Sequence, residues 1–371
     1  MDGTALWHRA EIVVDLEAIR SNVRVLRERI ASPLMAVVKA DAYGHGMVAC
    51  ARAAREAGAT WLGVATLEEA LALRQAGDVG PLLCWLHLPG EDYVAAREHH
   101  VDVTAYDEES LAEMTRVAPG LRVQLKIDTG LSRNGASAEM WPQLVALAAA
   151  AQHDGRARIT GVWSHFATAD DPGHPAAARQ SARFSDAVAI VRDAGLIPEV
   201  IHIANSAGAT MQPFHPDANL VRVGLATYGL DPAPTHPLGL RPAMTVRTML
   251  ARTRTLGAGE GVSYGHTYVA DQPMTVGLVP VGYGDGIPRH ASGKAQVWVD
   301  GQRCRVLGRV CMDQFVVDLT GTNARRGDRV IIFGPGYHGE PTAQDWAEAA
   351  ETINYEIVTR IGGRMTRVYR G

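Results

Sequence analysis

Five short apolar runs in this 371-residue chain end in, or carry, residues able to hold an anion, capture a carbonyl or move a proton. Lys39 follows Met35-Ala36-Val37-Val38 directly. Its stem therefore starts in apolar surroundings, where a lysine's pKa falls below its ordinary ~10.4 and the amine becomes nucleophilic. Lys126 lies in a second run, Arg122–Ile127, which continues through Asp128 to Arg133; a third ends in Ser164-His165 and a fourth in Asn205-Ser206. The fifth carries Arg222 between Val221 and Val223, just before Gly224. An arginine in that position stays protonated and has to meet an anion, an acceptor or water. Singly, each has an ordinary explanation, such as a solvated loop lysine or a hydrogen-bonded histidine cap. Together they describe a site for an anionic, carbonyl-bearing cofactor held by an amine. Pyridoxal phosphate fits: its aldehyde forms a Schiff base with a desolvated lysine, and its phosphate needs donors. Ser206 and backbone N–H groups near Gly224 are the candidates to supply them.

These residues converge only if the elements carrying them close into one mouth. Candidate strands are Leu34–Val38, Trp61–Ala65, Leu82–Leu86, Val101–Thr104, Arg122–Ile127, Ile159–Ser164, Val200–Ile203 and Leu220–Val223. Between them lie Ala-rich segments with helical spacing, and Gly58, Gly77 and Gly195 stand where helices should stop. Strand and helix alternating about eight times is the signature of a (β/α)8 barrel, whose function gathers at the carboxyl ends of its strands. A doubly wound open sheet competes, but it usually shows G-x-G-x-x-G after its first strand. Here that strand runs into Lys39-Ala40-Asp41-Ala42-Tyr43-Gly44-His45-Gly46. The expected class is α/β, with a cofactor-binding barrel over residues 1–240. Past Arg241 the alternation stops. Ala243–Arg254, Met274–Val279, Ala295–Val299, Arg303–Val310, Gln314–Leu319 and Arg329–Phe333 read as strands, and Thr342 to Ala350 as a helix capped by Thr342-x-x-Asp345. Residues 241–371 thus form a second, β-rich domain. The first strand, Ala10–Val14, suits either domain, and Asp231–Pro237 reads as the junction.

Composition removes several classes. Lys and Arg total 36 against 40 Asp and Glu, a net charge of −4, so no basic field exists to hold nucleic acid. The longest apolar stretch, Leu144 to Ala151, is far short of the ~20 residues that span a bilayer, so no membrane partner is expected. The opening residues lack the basic-then-apolar pattern of a signal peptide. Cys50, Cys84, Cys304 and Cys311 show no C-x-x-C pair, so neither a metal site nor a disulfide is expected. Scattered thiols of this kind point to a cytoplasmic location.

In motif after motif the chain resembles the alanine racemase family of barrel-type pyridoxal-phosphate enzymes. The likeness runs from Val38–Gly46 and Lys126–Arg133 through His165–Asp170, Ala204–Ala207 and Arg222–Leu225 to Ser263-Tyr264-Gly265, Gly308–Gln314 and Thr352–Glu356. It implies racemisation of L- and D-alanine on pyridoxal phosphate, supplying D-alanine for peptidoglycan, by a homodimer with shared active sites. Lys39 would hold the cofactor and act as base on one face of the substrate. Tyr264, reaching in from the second subunit, would be the base on the other. His165 and Arg222 would form the coupled network behind that tyrosine, with Arg222 also facing the pyridine nitrogen. Ser206, Tyr43, Tyr355 and the N–H groups of Gly224 and Leu225 would bind the phosphate, with His165 and Asn205 lining the cofactor. Arg133 would contact the cofactor and, with Met312, the substrate carboxylate, while Cys311 and Asp313 would support the interface. Lys126, set among like charges, would carry a carbamate that orients Arg133; a salt bridge to Asp128 is the plain alternative. The resemblance leaves room for a broader or serine racemase, for a non-catalytic pyridoxal-phosphate carrier and for a barrel-plus-β decarboxylase. The β-rich half bearing Tyr264 weighs against the carrier. His99-His100 read as solvent-facing, and turn geometry between Gly44 and Gly46 explains His45 as well as chemistry does. The glycine-rich segment Ile361–Tyr369 departs from the more rigid run expected there, and Ser132 stands where members vary.

Overall fold

The computed structural model describes residues 8–233 and 238–371. The first seven residues and 234–237, the latter part of the expected junction, lie outside the described residues. The chain opens on β1 (Ala10–Asp15), followed by the helix Leu16–Ile30 with Glu17 in its first turn and Arg27 and Arg29 in its last. Those charges complement the helix dipole. Eight short parallel strands follow: β2 (Leu34–Val37), β3 (Trp61–Val64), β4 (Leu82–Cys84), β5 (Asp102–Ala105), β6 (Leu121–Lys126), β7 (Ala157–Trp163), β8 (Val200–His202) and β9 (Val221–Val223). Most are buried throughout, as parallel strands covered on both faces must be. Their order is β8-β7-β6-β5-β4-β3-β2-β9. Across the remaining seam the N–H groups of Asn219 and Arg222 donate to the carbonyls of Ile201 and Ala204, each at 3.0 Å, closing the sheet on itself. Helices alternate with the strands. Gly58, Gly77 and Gly195 adopt φ of 96°, 92° and 77° where helices end, a conformation that suits glycine.

The second sheet has nine strands in the order β11-β14-β17-β16-β15-β18-β10-β1-β19. Besides β1 it contains β10 (Met244–Met249), β11 (Arg252–Leu256), β14 (Met274–Val279), β15 (Gln296–Val299), β16 (Gln302–Leu307), β17 (Phe315–Asp318), β18 (Arg329–Phe333) and β19 (Thr366–Arg370); the ribbon β12 (Gly261–Val262) and β13 (Tyr268–Val269) stands apart from it. The run Ala243–Arg254 is two strands, because its halves have different partners. β10 pairs with β18 and β1, whereas β11 pairs with β14, and the chain turns between them at Leu250-Ala251. The glycine-rich C-terminal segment ends in β19, which pairs in parallel with β1. Glu11 on β1 lies opposite Arg247 on β10, and the two form a buried ion pair at 2.6 Å. Thr342 and Asp345 cap the helix Ala343–Ala350 reciprocally, as their spacing predicts.

Two compact units result. One contains residues 19–40 and 47–240, the barrel; the other joins 241–371 to the chain up to Ala18 and to residues 41–46. The division thus differs from a single cut near residue 240. Strand β1 is part of the nine-stranded sheet, and the segment Asp41–Gly46 leaves the barrel unit.

Candidate active site

The barrel gathers its polar side chains on β6 to β9 and just after β2. Arg222, buried on β9, is the hub. Its Nη1 donates to His202 Nδ1 at 2.7 Å, and its Nη2 lies 2.8 Å from the Ser164 carbonyl, 3.1 Å from the Ile203 carbonyl and 3.0 Å from His165 Nδ1. Burial pushes its pKa down to about 9, which leaves it charged at neutral pH. Because a guanidinium only donates, His202 must offer Nδ1 as acceptor and carry its proton on Nε2. At His165 three acceptors share the two Nη2 hydrogens, and the Asn205 amide N–H₂ faces Nε2. Burial and the Arg222 charge press both histidines well below the ordinary imidazole range, so each is neutral. Asn205 Nδ2 lies 3.4 Å from His165 Nε2, while its Oδ1 caps the helix Ser206–Met211 by accepting from Gly208 N–H at 2.9 Å.

Three further cations face this hub. Burial and the charges of Arg133 and Arg222 lower the pKa of Lys39, which follows β2. Burial, Arg222 and Arg133 lower Lys126 further, to about 7. Its Nζ sits 4.3 Å from the centre of the Trp163 ring, over which Arg222 also lies, at 4.9 Å. The alternative partner of Lys126 is otherwise engaged. Asp128 Oδ1 accepts from the N–H groups of Gly130, Leu131 and Ser132 at 2.8–3.1 Å, pinning the loop that leads to the exposed Arg133. No ion pair joins Asp128 to Lys126 among the described residues. On the other side of Arg222, Ser206 Oγ accepts from Gly224 N–H at 3.0 Å, so this amide is already spent on orienting the hydroxyl. Leu225 begins a short 3-10 turn, whose first N–H groups have no partner within the turn.

The segment after Lys39, which passes from the barrel unit at Ala40 into the second unit at Asp41, takes an unusual course. Ala40, Asp41, Ala42 and Tyr43 have φ of 52–54°, one full turn of left-handed helix built without glycine. Each such residue costs about 1–2 kcal/mol, so surrounding contacts must hold it. His45, fully buried, places Nδ1 3.0 Å from the carbonyls of both Ala42 and Tyr43, and burial pushes its pKa down to about 4. Its role is to hold the turn. Arg367 on β19 pairs with Asp41 at 2.9 Å and donates to the Gly44 carbonyl at 3.0 Å. Gly44 cannot be larger, since a Cβ there would lie 2.3 Å from the Val358 carbonyl oxygen. The turn sets the Tyr43 ring 6.2 Å from that of Tyr355. Burial and that neighbour raise the Tyr43 pKa, so it remains a donor.

Tyr264 follows Ser263, held at φ 61° with its hydroxyl donating to the Arg309 carbonyl at 2.8 Å, and 72% of its surface is exposed. Cys311 Sγ lies 3.0 Å from that same hydroxyl. Met312 is 54% exposed on a loop whose carbonyl accepts from Gly284 N–H at 2.9 Å. Asp313 pairs with Arg364 at 2.5 Å, and Arg364 also pairs with the buried Asp285 at 2.9 Å. His99 and His100 are exposed. Sequence reasoning did not single out His202, Gln124, Asp102 or Trp163. A polar residue inside a short apolar run, as in Val123-Gln124-Leu125 or Val101-Asp102-Val103, is the signal that could have found them.

Comparison with known proteins covers nearly the whole chain. Residues 14–232 match the family description "Alanine racemase, N-terminal domain" and residues 243–369 "Alanine racemase, C-terminal domain". The alanine racemase of Streptomyces coelicolor is 52% identical, with 97% of this chain and 96% of that protein covered. The crystal structure of alanine racemase from D-cycloserine-producing Streptomyces lavendulae superimposes with a TM-score of 0.96 at 53% identity, covering 99% of this chain and 98% of that one. A structure from Bartonella henselae with covalently bound pyridoxal phosphate shares 28% identity at a TM-score of 0.87, over 98% and 99% of the two chains. A match of this extent over both units, with a buried arginine between two imidazoles and a desolvated lysine after the first barrel strand, places the chain in the alanine racemase family.

Proposed function

We propose that this chain interconverts L- and D-alanine by removing the α-proton on one face of the substrate and returning one on the other, with pyridoxal phosphate as cofactor. The observation that carries the reading is Lys39, an amine whose pKa burial and two arginines depress, at the end of a barrel strand. When bound, pyridoxal phosphate withdraws electrons from the substrate Cα and acidifies its proton. The donor set suits it. The hydrogen bonds of Arg222 to His202, Ser164, Ile203 and His165 all come from Nη1 and Nη2, so its Nε–H is a candidate donor to the ring nitrogen. Ser206 retains its hydroxyl proton, and Leu225 N–H adds a further donor for a phosphate.

Lys39 anchors the cofactor and, once released by substrate, moves the proton on its own face. Tyr264 moves the proton on the other, contributed by the second copy in a homodimer. Its exposure supports that reading, because a proton-transfer group this open to water needs a covering surface. His165, neutral, forms with Arg222 the coupled network behind Tyr264. Arg222 keeps its charge and would face the ring nitrogen, where a fixed cation would disfavour protonating the ring and favour return of the proton to Cα. Arg133 and, across the dimer interface, the Met312 backbone of the second copy hold the substrate carboxylate, with Cys311 and Asp313 supporting the interface. The D-alanine so made supplies peptidoglycan, in the cytoplasm. No helix among the described residues is long and apolar enough to cross a membrane.

In deuterium oxide, purified protein with cofactor and either alanine enantiomer is expected to place deuterium at Cα of both L- and D-alanine. Exchange into neither, with cofactor bound, would overturn the reading, and preferential exchange into serine would redirect it. Lys126 is proposed to carry a carbamate. With a pKa of about 7 its amine is about half neutral at pH 7. Trp163 Nε1, buried and without a partner among the described residues, offers a donor in the same cluster. At constant dissolved ¹³CO₂, a carbamate resonance should grow as pH rises from 6 to 8, because only the free amine reacts, and should vanish in Lys126→Ala. An unchanged spectrum across that range would remove the carbamate.

A further inference from the structure

A (β/α)8 barrel normally fills its interior with layers of branched apolar side chains. This one carries a polar column instead. At the amino ends of the strands, Arg122 donates through Nε to Asp102 at 2.6 Å and bridges to Glu199 at 3.0 Å. Asp102, 1% exposed, also accepts from Thr160 Oγ at 2.5 Å and from Gln124 Nε2 at 3.0 Å. Gln124 Oε1 faces His202 Nε2 at 2.8 Å, and His202 Nδ1 faces Arg222 at 2.7 Å. Four strands contribute to this route, and every polar atom along it has one consistent role. Asp102 only accepts, so Gln124 must present its amide N–H₂ to it and its carbonyl to His202. That carbonyl only accepts, so His202 must carry its proton on Nε2. Arg222 only donates, which demands the same tautomer from the other side.

Local structure is adapted to the route. Gln124 reaches from β6 to His202 on β8 across Gly161 of β7, where a Cβ would lie 2.6 Å from the Gln124 amide carbon. The β6–β7 register shifts at Val123/Gln124. Trp163 stacks on His202 at 5.7 Å with 16° between the rings, holding the imidazole in plane. We propose that Asp102 and Gln124 are positioning residues which, through the tautomer of His202, aim Arg222 at the cofactor site. The column thus orients the hub from the far end of the barrel. A buried polar network serving stability alone would be replaceable by apolar residues of the same volume. A positioning relay would not.

The consequence for catalysis rests on the pyridoxal-phosphate reading, but the tautomer does not, so the two can fail separately. In protein labelled with ¹⁵N-histidine, free of cofactor, the His202 signals (assigned by their loss in His202→Gln) should show Nδ1 bare and Nε2 protonated. Gln124→Met keeps the unbranched shape that Gly161 requires while removing both bonds. It should shift the Nε2–H signal and lower kcat about 10- to 100-fold with KM little changed, as expected for a misaimed group that matters mainly in the transition state. Thr160→Val removes a bond to Asp102 that lies off the route. It should leave the His202 signals and kcat near those of the parent, whatever it does to thermal stability. A proton on Nδ1 in the parent protein, or Gln124→Met and Thr160→Val giving the same kcat and the same His202 signals, would overturn the proposal. Absence of racemisation in the parent with the expected tautomer present would instead count against the reaction.

Discussion

Lys39→Ala is expected to lower racemisation in both directions by about 10⁴-fold or more, equivalent to roughly 5.5 kcal/mol of transition-state stabilisation. The size follows from the two tasks assigned to one amine. The variant loses the covalent anchor and one of the two proton-transfer groups, and no neighbour can substitute. Lys126 has its Nζ over Trp163, and Arg133 and Arg222 cannot give up a proton. Borohydride treatment followed by peptide mapping should find the cofactor fixed to the Lys39 peptide of the parent protein and to no peptide of the variant. Activity within tenfold of the parent would remove Lys39 from the chemistry.

Mixing Lys39→Ala chains with Tyr264→Phe chains, each nearly inactive alone, should restore about one quarter of the parent activity at equal proportions. Random reassortment makes half the dimers mixed. In each mixed dimer one site combines an intact Lys39 with an intact Tyr264 from the other chain, and the second site lacks both. The test therefore reads where Tyr264 acts. If both groups served one site from the same chain, mixing would restore nothing. Tyr264→Phe alone should slow proton transfer more in one direction than in the other, since the opposite face keeps its base.

The barrel was legible because each of its strands is a short apolar run bounded by helix signals, and the structure moves those boundaries by only a few residues. The residues at the strand ends were legible for the same reason: Lys39, His165 and Arg222 interrupt apolar runs where a barrel opens. What sequence reasoning missed depends on partners remote in the chain. Strand β19 has little apolar pattern of its own, with Arg367 and Arg370 among its five residues, and exists because β1 offers it an edge. The break at Leu250-Ala251 is invisible until β10 and β11 find different neighbours. Gln124 and Asp102 read as isolated polar residues, and only closure of the barrel sets them in line beneath His202.

The turn at residues 40–43 reverses the usual ranking of substitutions. In an ordinary helix glycine is among the worst choices and alanine the best. With φ near 53° at four successive positions, the mirror-image winding penalises every side chain that has a Cβ, so alanine is the burdened residue and glycine the relaxed one. Tolerance maps of this segment should rank glycine above alanine, so the glycine term of any preference scale calibrated on right-handed helices will carry the wrong sign there.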